Sequence, residues 1–342
     1  MILPLLFSSL CWFAPQNSYL KIVNSAEFFL VNGQCKDAAR LYDSAFSIQN
    51  TPLAQDLYNA SICAAQLNEP EKSMAYCLLL ADKGVAPDFF AKKACYSQLK
   101  RSDRWSQFIK EAETRRTGFL RRNRQSLQFM SGLLEKSDAV YKEYYNKGQH
   151  PAALKELKWT SDSLAKIILA YLEENSFPSE EQFGVAITND TLLDAKPVFF
   201  RLMYRRPILV NVHLDSIFTR LFYQKGVNEG KLKPEQAVDL MVERLHFQQE
   251  QAAHYYTLFG KNLYGGTQIS RDIANDIRRQ LGLNSLEDEL IRIKSATPSQ
   301  ASCFLFSVFL TQQRAPNEPQ QYVDEFLKIN TLVIKNILPD SP

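Results

Sequence analysis

The chain has 342 residues, 45% of them hydrophobic and 23% charged, with a formal net charge of +3. That length holds two domains with their own cores, and the composition is ordinary for a soluble globular protein. A charge this close to balance excludes a global field that gathers nucleic acid or acidic membranes.

Only 12 glycines are present, and no Gly-rich phosphate-binding loop. Long periodic runs of Ala, Leu, Lys, Glu, Tyr and Phe predict helix nearly throughout, and the alternating run Pro207–Val212 is short enough to be the start of a buried helix. The six cysteines are Cys11, Cys35, Cys63, Cys77, Cys95 and Cys303. None forms a CxxC, which argues against a zinc knuckle or a thioredoxin-type pair. Several fall on apolar helix faces, so buried free thiols acting as small hydrophobes are expected.

In chain order, Ile2–Ala14 is almost wholly apolar. Export or membrane association through this segment is favoured over a packed first helix. No Lys or Arg precedes it, and Trp12, Phe13 and Pro15 suit a signal peptidase poorly. It is too short to span a bilayer comfortably.

Tyr19–Asn50 carries a tetratricopeptide-like spacing: Ala26, Phe29, Gly33, Ala38, Tyr42 and Ala45. Small residues fall where two helices touch, Gly33 permits the turn, and aromatics fill the groove. A looser copy comes next with Ala60, Asn68, Ser73, Cys77 and Leu80, ended by Gly84. A degenerate third pair runs from Asp88 to about Glu113, with Trp105 and Phe108 on its inner face. Such repeats either hold a protein or peptide partner or serve as a packing platform for the next domain. The basic run Lys100–Arg124 lacks interleaved aromatics for stacking bases and reads as a solvated helix face. A domain boundary is placed near Thr117-Gly118.

Leu127–Asn146 and Ala152–Glu174 are predicted helices, the second with Leu154, Leu157, Leu164, Ile167, Ile168 and Tyr171 on one face. His150 lies in the turn between them. A turn-rich loop spans Asn175–Gly184. Ile208–Gln224 is a predicted helix carrying His213. Pro234 opens a helix to about Phe259, on which Glu243, His246, Glu250 and His254 share a face. Tyr264–Gln268 is a Gly-containing loop. Short helices are predicted at Arg271–Leu281 and Leu286–Lys294, then two more at Ser299–Gln313 and Pro319–Ile337.

The second half resembles an uncharacterised bacterial helical domain family, over roughly residues 125–270. The marks are Phe177-Pro178 with Gly184, then His213, then Glu243-Arg244, and finally Tyr264-Gly265-Gly266-Thr267-Gln268. Asp138 stands for an earlier Asp of the family. The Arg usually found shortly after it is missing, and an extra glycine interrupts the final motif. The resemblance implies a helical domain with a shared pocket and no known reaction.

If these marks converge, His213 beside the Glu243 carboxylate is a candidate general base, and Arg244 a clamp for an anionic group. Tyr264, Gly265, Thr267 and Gln268 are candidate ligand contacts, the glycines allowing close backbone approach. The competing reading makes Glu243 and Arg244 interhelical partners and His213 a core residue. Glu243–His246 has the Glu-x-x-His spacing of di-iron bundles but no second copy, so no metal site and no cofactor is expected.

The expected architecture is all-α: an apolar segment (1–16), tetratricopeptide-like hairpins forming an α-solenoid (17–117), and an irregular helical domain (118–342). The expected function is a protein-interaction scaffold, its repeats holding a protein or peptide, with a C-terminal pocket for a small polar or peptidic ligand. The alternative is a hydrolase-type enzyme using His213 with Glu243 and Arg244. No nucleic-acid partner is expected.

Overall fold

A computed structural model describes residues 17–148, 150–185, 187–188, 191–192, 222–241, 256–259, 262–266, 270–280, 282–296, 311–313 and 330–334. Helix dominates from residue 18 to residue 183. α1 (Ser18–Val31) and α2 (Cys35–Ile48) pack as one pair, and α3 (Ala54–Gln66) and α4 (Pro70–Ala81) as the next. Asn17 caps α1 by accepting from the Leu20 amide, satisfying one of the first-turn donors. Gly33, at φ +72°, makes the turn to α2.

The repeat-spaced residues are interior. Ala26, Ala38, Tyr42 and Ala45 are fully buried, as are Ser73, Cys77 and Leu80. α3 is enclosed on every side, since only Gln66 of its residues escapes burial. Its run of Ala, Ser, Cys and Asn lets neighbouring backbones come close. The third pair is less regular. A short α5 (Pro87–Lys92) and two single-turn 3₁₀ segments precede α6 (Trp105–Arg122). Phe90, Tyr96 and Phe108 meet edge-to-face in its core.

The boundary expected at Thr117-Gly118 falls inside the continuous helix α6. α7 (Arg124–Asn146) and α8 (Pro151–Glu174) form a long pair, and His150 caps α8 by accepting from the Ala152 amide. Ile167, grouped by sequence on one face with Leu157, Leu164 and Ile168, is exposed, whereas those three are buried. A one-turn helix α9 (Glu180–Phe183) precedes a short antiparallel pair, β1 (Ile187–Thr188) and β2 (Thr191–Leu192). A π-helical turn, Phe222–Val227, leads to α10 (Pro234–Met241).

Residues further on depart from an all-helical chain. β3 (Tyr256–Phe259), β4 (Asn262–Gly266), β5 (Thr311–Gln313) and β6 (Asn330–Ile334) form one sheet in the order β5-β3-β4-β6. β3 and β4 pair antiparallel with Phe259 opposite Asn262, β5 joins β3 in parallel, and β6 joins β4 antiparallel. The helix expected to reach Phe259 and the helices expected over 311–313 and 330–334 are strands at these positions. The reason is residue type: Tyr, Thr, Phe, Val and Ile favour a pleated surface. α11 (Arg271–Gln280) and α12 (Leu286–Ala296) are helical as expected.

One apolar cluster runs from Tyr19, Val23 and Ala26 through Leu164 and Ile168 to Val238 and Leu283. The repeats and the later helices thus share a core. No described helix is long and apolar enough to cross a membrane.

Candidate functional site

The densest polar chemistry in the described residues lies where α1 and α3 meet Lys233 and Arg292. Three features bring Lys233 there. Asn17 Nδ2 donates to the Asn228 carbonyl at 2.9 Å, docking the preceding loop on the start of α1. Gly230 turns at φ +70°, where an added Cβ would stand 2.9 Å from Asn17 Nδ2. Gln236 Oε1 accepts from the Lys233 amide at 2.9 Å, half of a capping box at the start of α10.

Lys233 Nζ then donates to Glu27 Oε1 at 2.5 Å and to Asp56 Oδ1 at 2.8 Å. Gln55 Nε2 adds a bond to Glu27 Oε1 at 3.1 Å. Arg292 of α12 bonds Glu27 Oε2 and Asn24 Oδ1. Tyr19 donates to Asp56 Oδ2 at 2.5 Å and accepts from the Leu53 amide at 2.7 Å. The side chains of Glu27, Asp56, Lys233 and Arg292 are all 5% exposed or less. Two carboxylates and two cations share the enclosure, so the charges balance, as desolvated ions must.

A second buried pair lies beside it. Lys83 reaches Glu180 Oε2 at 3.2 Å and also pairs with Glu181. Glu180 Oε2 accepts from the Ala54 amide at 2.7 Å, at the positive end of α3. A third joins α11 to α12, where Arg278 Nη2 meets Glu289 Oε2 at 3.1 Å and Arg278 Nε bonds the Asn284 carbonyl at 2.6 Å.

These surroundings set the protonation states. Burial works to raise the Glu27 carboxyl, but Lys233 and Arg292 outweigh it and hold the group below its ordinary value. Burial raises Asp56 even against the pull of Lys233. Burial also raises Glu180 against Lys83. Glu235 is the odd carboxyl. It accepts from Asn284 Nδ2 at 3.0 Å, and burial, only partly offset by Arg292, lifts it to about 7.

A cavity of about 90 Å³ opens above this network, between α1 and the 233–235 segment. Leu20, Val23 and Pro234 line its apolar side, Glu27, Lys233 and Glu235 its polar interior. Exposed Lys21 and Asn24 stand at its edge. Water occupies roughly 30 Å³ per molecule, so the space admits a few waters or the end group of a ligand.

Most of the sequence-derived site residues lie outside the described residues. His213, Glu243, Arg244, Thr267 and Gln268 fall outside the described residues, as do His246 and His254. Tyr264 and Gly265, expected in a loop, are residues of β4. Tyr264 stands opposite Thr257 on one side and Leu332 on the other, and Gly265 opposite Tyr256 and Thr331. Asp138 is an exposed residue of α7.

Lys233, Glu27, Asp56 and Arg292 were not picked out from sequence, although a signal exists. Glu27 interrupts the apolar stripe Leu20, Val23, Leu30 at helical spacing, and Asp56 sits between Leu53 and Ala60. A carboxylate on a buried face demands a cation from elsewhere in the chain.

Comparison with protein-family models, curated proteins and solved structures finds no match.

Proposed function

We propose that this chain is a binding scaffold whose helical hairpins form a platform, fixing a small pocket against the segment that carries Lys233 and Glu235. The ligand of this pocket is small and polar or the end of a peptide. The observation that carries the reading is the cavity over the Glu27–Lys233 pair, with buried charge inside and apolar walls beside it. Such a mixed lining is what orients a small ligand: apolar contact supplies affinity and a few fixed polar groups supply direction.

The same arrangement bears on a partner protein. Glu27 and Asp56, which face inward from α1 and α3, are engaged by Lys233 and Arg292, and the first amide of α3, that of Ala54, by Glu180. A protein or peptide held by the repeats would therefore meet their outer side, where Phe28, Ile48 and Leu79 are exposed.

Thermal-shift measurements against a panel of free amino acids, small amines and carboxylates, and short peptides test the pocket. The expected result is stabilisation by one chemical class, diminished in Lys21→Glu at the pocket edge and in Glu235→Gln within it. No stabilising compound, or a shift that both variants retain in full, overturns the reading.

A further inference from the structure

Both carboxylates under the cavity are saturated with donors. Glu27 accepts from Lys233 and Gln55 on one oxygen and from Arg292 on the other. Asp56 accepts from Lys233 on one oxygen and from Tyr19 on the other. The donors are not used up to match. An ammonium carries three N–H groups, and among the described residues Lys233 Nζ meets acceptors on Glu27 and Asp56 alone. Arg292 Nε, buried in the same network, has no acceptor. At the cavity edge, the exposed Lys21 ammonium has no carboxylate partner among the described residues. The surplus here is of donors, and the missing group is an acceptor.

Charge points the same way. Lys21, Lys233 and Arg292 are the cations of the cavity and its network, and Glu27 and Asp56 their counter-charges. Glu235 also lines the cavity, and burial keeps its carboxyl partly protonated near neutral pH. With that proton in place the positive charge is in excess, and a bound anion restores the balance. An amine would bring a further cation against Lys21 and Lys233.

Size and lining narrow the ligand. A volume of about 90 Å³ is roughly three water volumes, room for a carboxylate and about one or two adjoining carbons. Leu20, Val23 and Pro234 offer those carbons an apolar wall. A compact inorganic anion would leave that wall bare.

On the reading of this cavity as a ligand pocket, we propose that it takes a carboxylate, from a short-chain carboxylic acid or the C-terminal residue of a peptide. The remaining hydrogen of Lys233 and the Lys21 ammonium receive the oxygens in charge-assisted bonds. The carbon chain lies against Leu20, Val23 and Pro234. Glu235 gives the binding its pH dependence. The charged groups facing it are Arg292 and Glu289 of α12 and Glu27 of α1, with Lys233 two residues before it. Loss of its proton sets another negative charge beside the ligand, so affinity falls as pH rises through 7.

The test is calorimetric titration of the full chain with propionate, propionamide and propylamine, and with N-acetyl-trialanine as free acid and as C-terminal amide. Propionate, the acid-ended peptide or both are expected to bind, at least about tenfold tighter than the matching amide. Which acid binds identifies the source. Lys21→Gln, at an exposed position, is expected to weaken binding roughly two- to fivefold. Wild-type affinity is expected to fall from about pH 6 to about pH 8 and to stay level in Glu235→Gln. The inference is overturned if no acid binds, if the amides or propylamine bind as tightly, or if acid affinity is unmoved in Lys21→Gln or rises with pH. A bound amine or amide in the same series then keeps the pocket reading, and an entirely silent series removes that reading too.

Discussion

Lys233 Nζ stands 2.8 Å from Asp56 Oδ1, joining two residues 177 positions apart with neither exposed. Removing the cation leaves Asp56 and Glu27 buried with their charges under-compensated. Lys233→Met is expected to lower the unfolding free energy by about 3–5 kcal/mol, the range for breaking one side of a buried pair. Adding Asp56→Asn to that variant is expected to cost little more, because the orphaned charge is gone. Urea unfolding of the single and double variants reads both outcomes. A Lys233→Met loss under about 1 kcal/mol would show that the pair is not buried as described.

Tyr19 serves the same carboxylate from the other side. Its hydroxyl donates to Asp56 and accepts from the Leu53 amide at the start of α3. Tyr19→Phe keeps the ring and deletes both bonds, leaving a buried amide unsatisfied. The expected cost is about 1–3 kcal/mol, with hydrogen exchange at Leu53 accelerated. Unchanged exchange there would place the amide in water rather than against the phenol.

Glu235 gives stability a pH dependence with a definite sign. Its folded-state value, about 7, lies above the ordinary value of 4.5, so the folded protein binds the proton more tightly than the unfolded chain. The contribution is full below about pH 4.5 and is lost as pH rises through 7. Glu27, held low by Lys233 and Arg292, acts oppositely: its contribution is present above its ordinary value and lost as pH falls through its depressed one. Glu235→Gln keeps an acceptor for Asn284 and removes the titration. The variant is expected to flatten the wild-type decline between about pH 5 and 7.5 by an amount on the order of 3 kcal/mol. Parallel curves for the two proteins across that window would show that Glu235 does not titrate there.

Two glycines of the repeats share positive φ but not surroundings. At Gly84, φ +90°, an added Cβ would stand 2.8 Å from the Phe119 ring, whereas at Gly33, φ +72°, nothing lies within 4 Å. Alanine at either position meets the left-handed backbone cost of about 1–2 kcal/mol. Gly84→Ala adds overpacking of roughly 1–3 kcal/mol against Phe119. Chemical denaturation should therefore rank Gly84→Ala well below Gly33→Ala, and equal losses would mean that Phe119 yields freely.

Much of the helical framework was legible because its signals are local. The spacing of Ala26, Ala38, Tyr42 and Ala45 placed the first hairpin, Gly33 its turn, and Pro234 the start of α10. The strands were not legible in the same way. Tyr256–Phe259 and Asn262–Gly266 are short, and the gap between them, Gly260-Lys261, is itself a hairpin signal that the helical periodicity around Glu243 and His254 obscured. The network was legible only as a question, since a carboxylate on the apolar face of α1 announces a partner without naming it.

By itself, then, the sequence determined the two hairpins between residues 18 and 81 and the turn at Gly33, since each helical bond closes within four residues and the side chains that favour it are neighbours in the chain. Only the tertiary structure decided that Lys233 and Arg292 answer Glu27 and Asp56, that α3 is enclosed on all sides, and that β4 lies between β3 and β6. Those choices depend on which distant groups leave water together, and the free energy of that exchange belongs to the assembled molecule, not to any one stretch of chain.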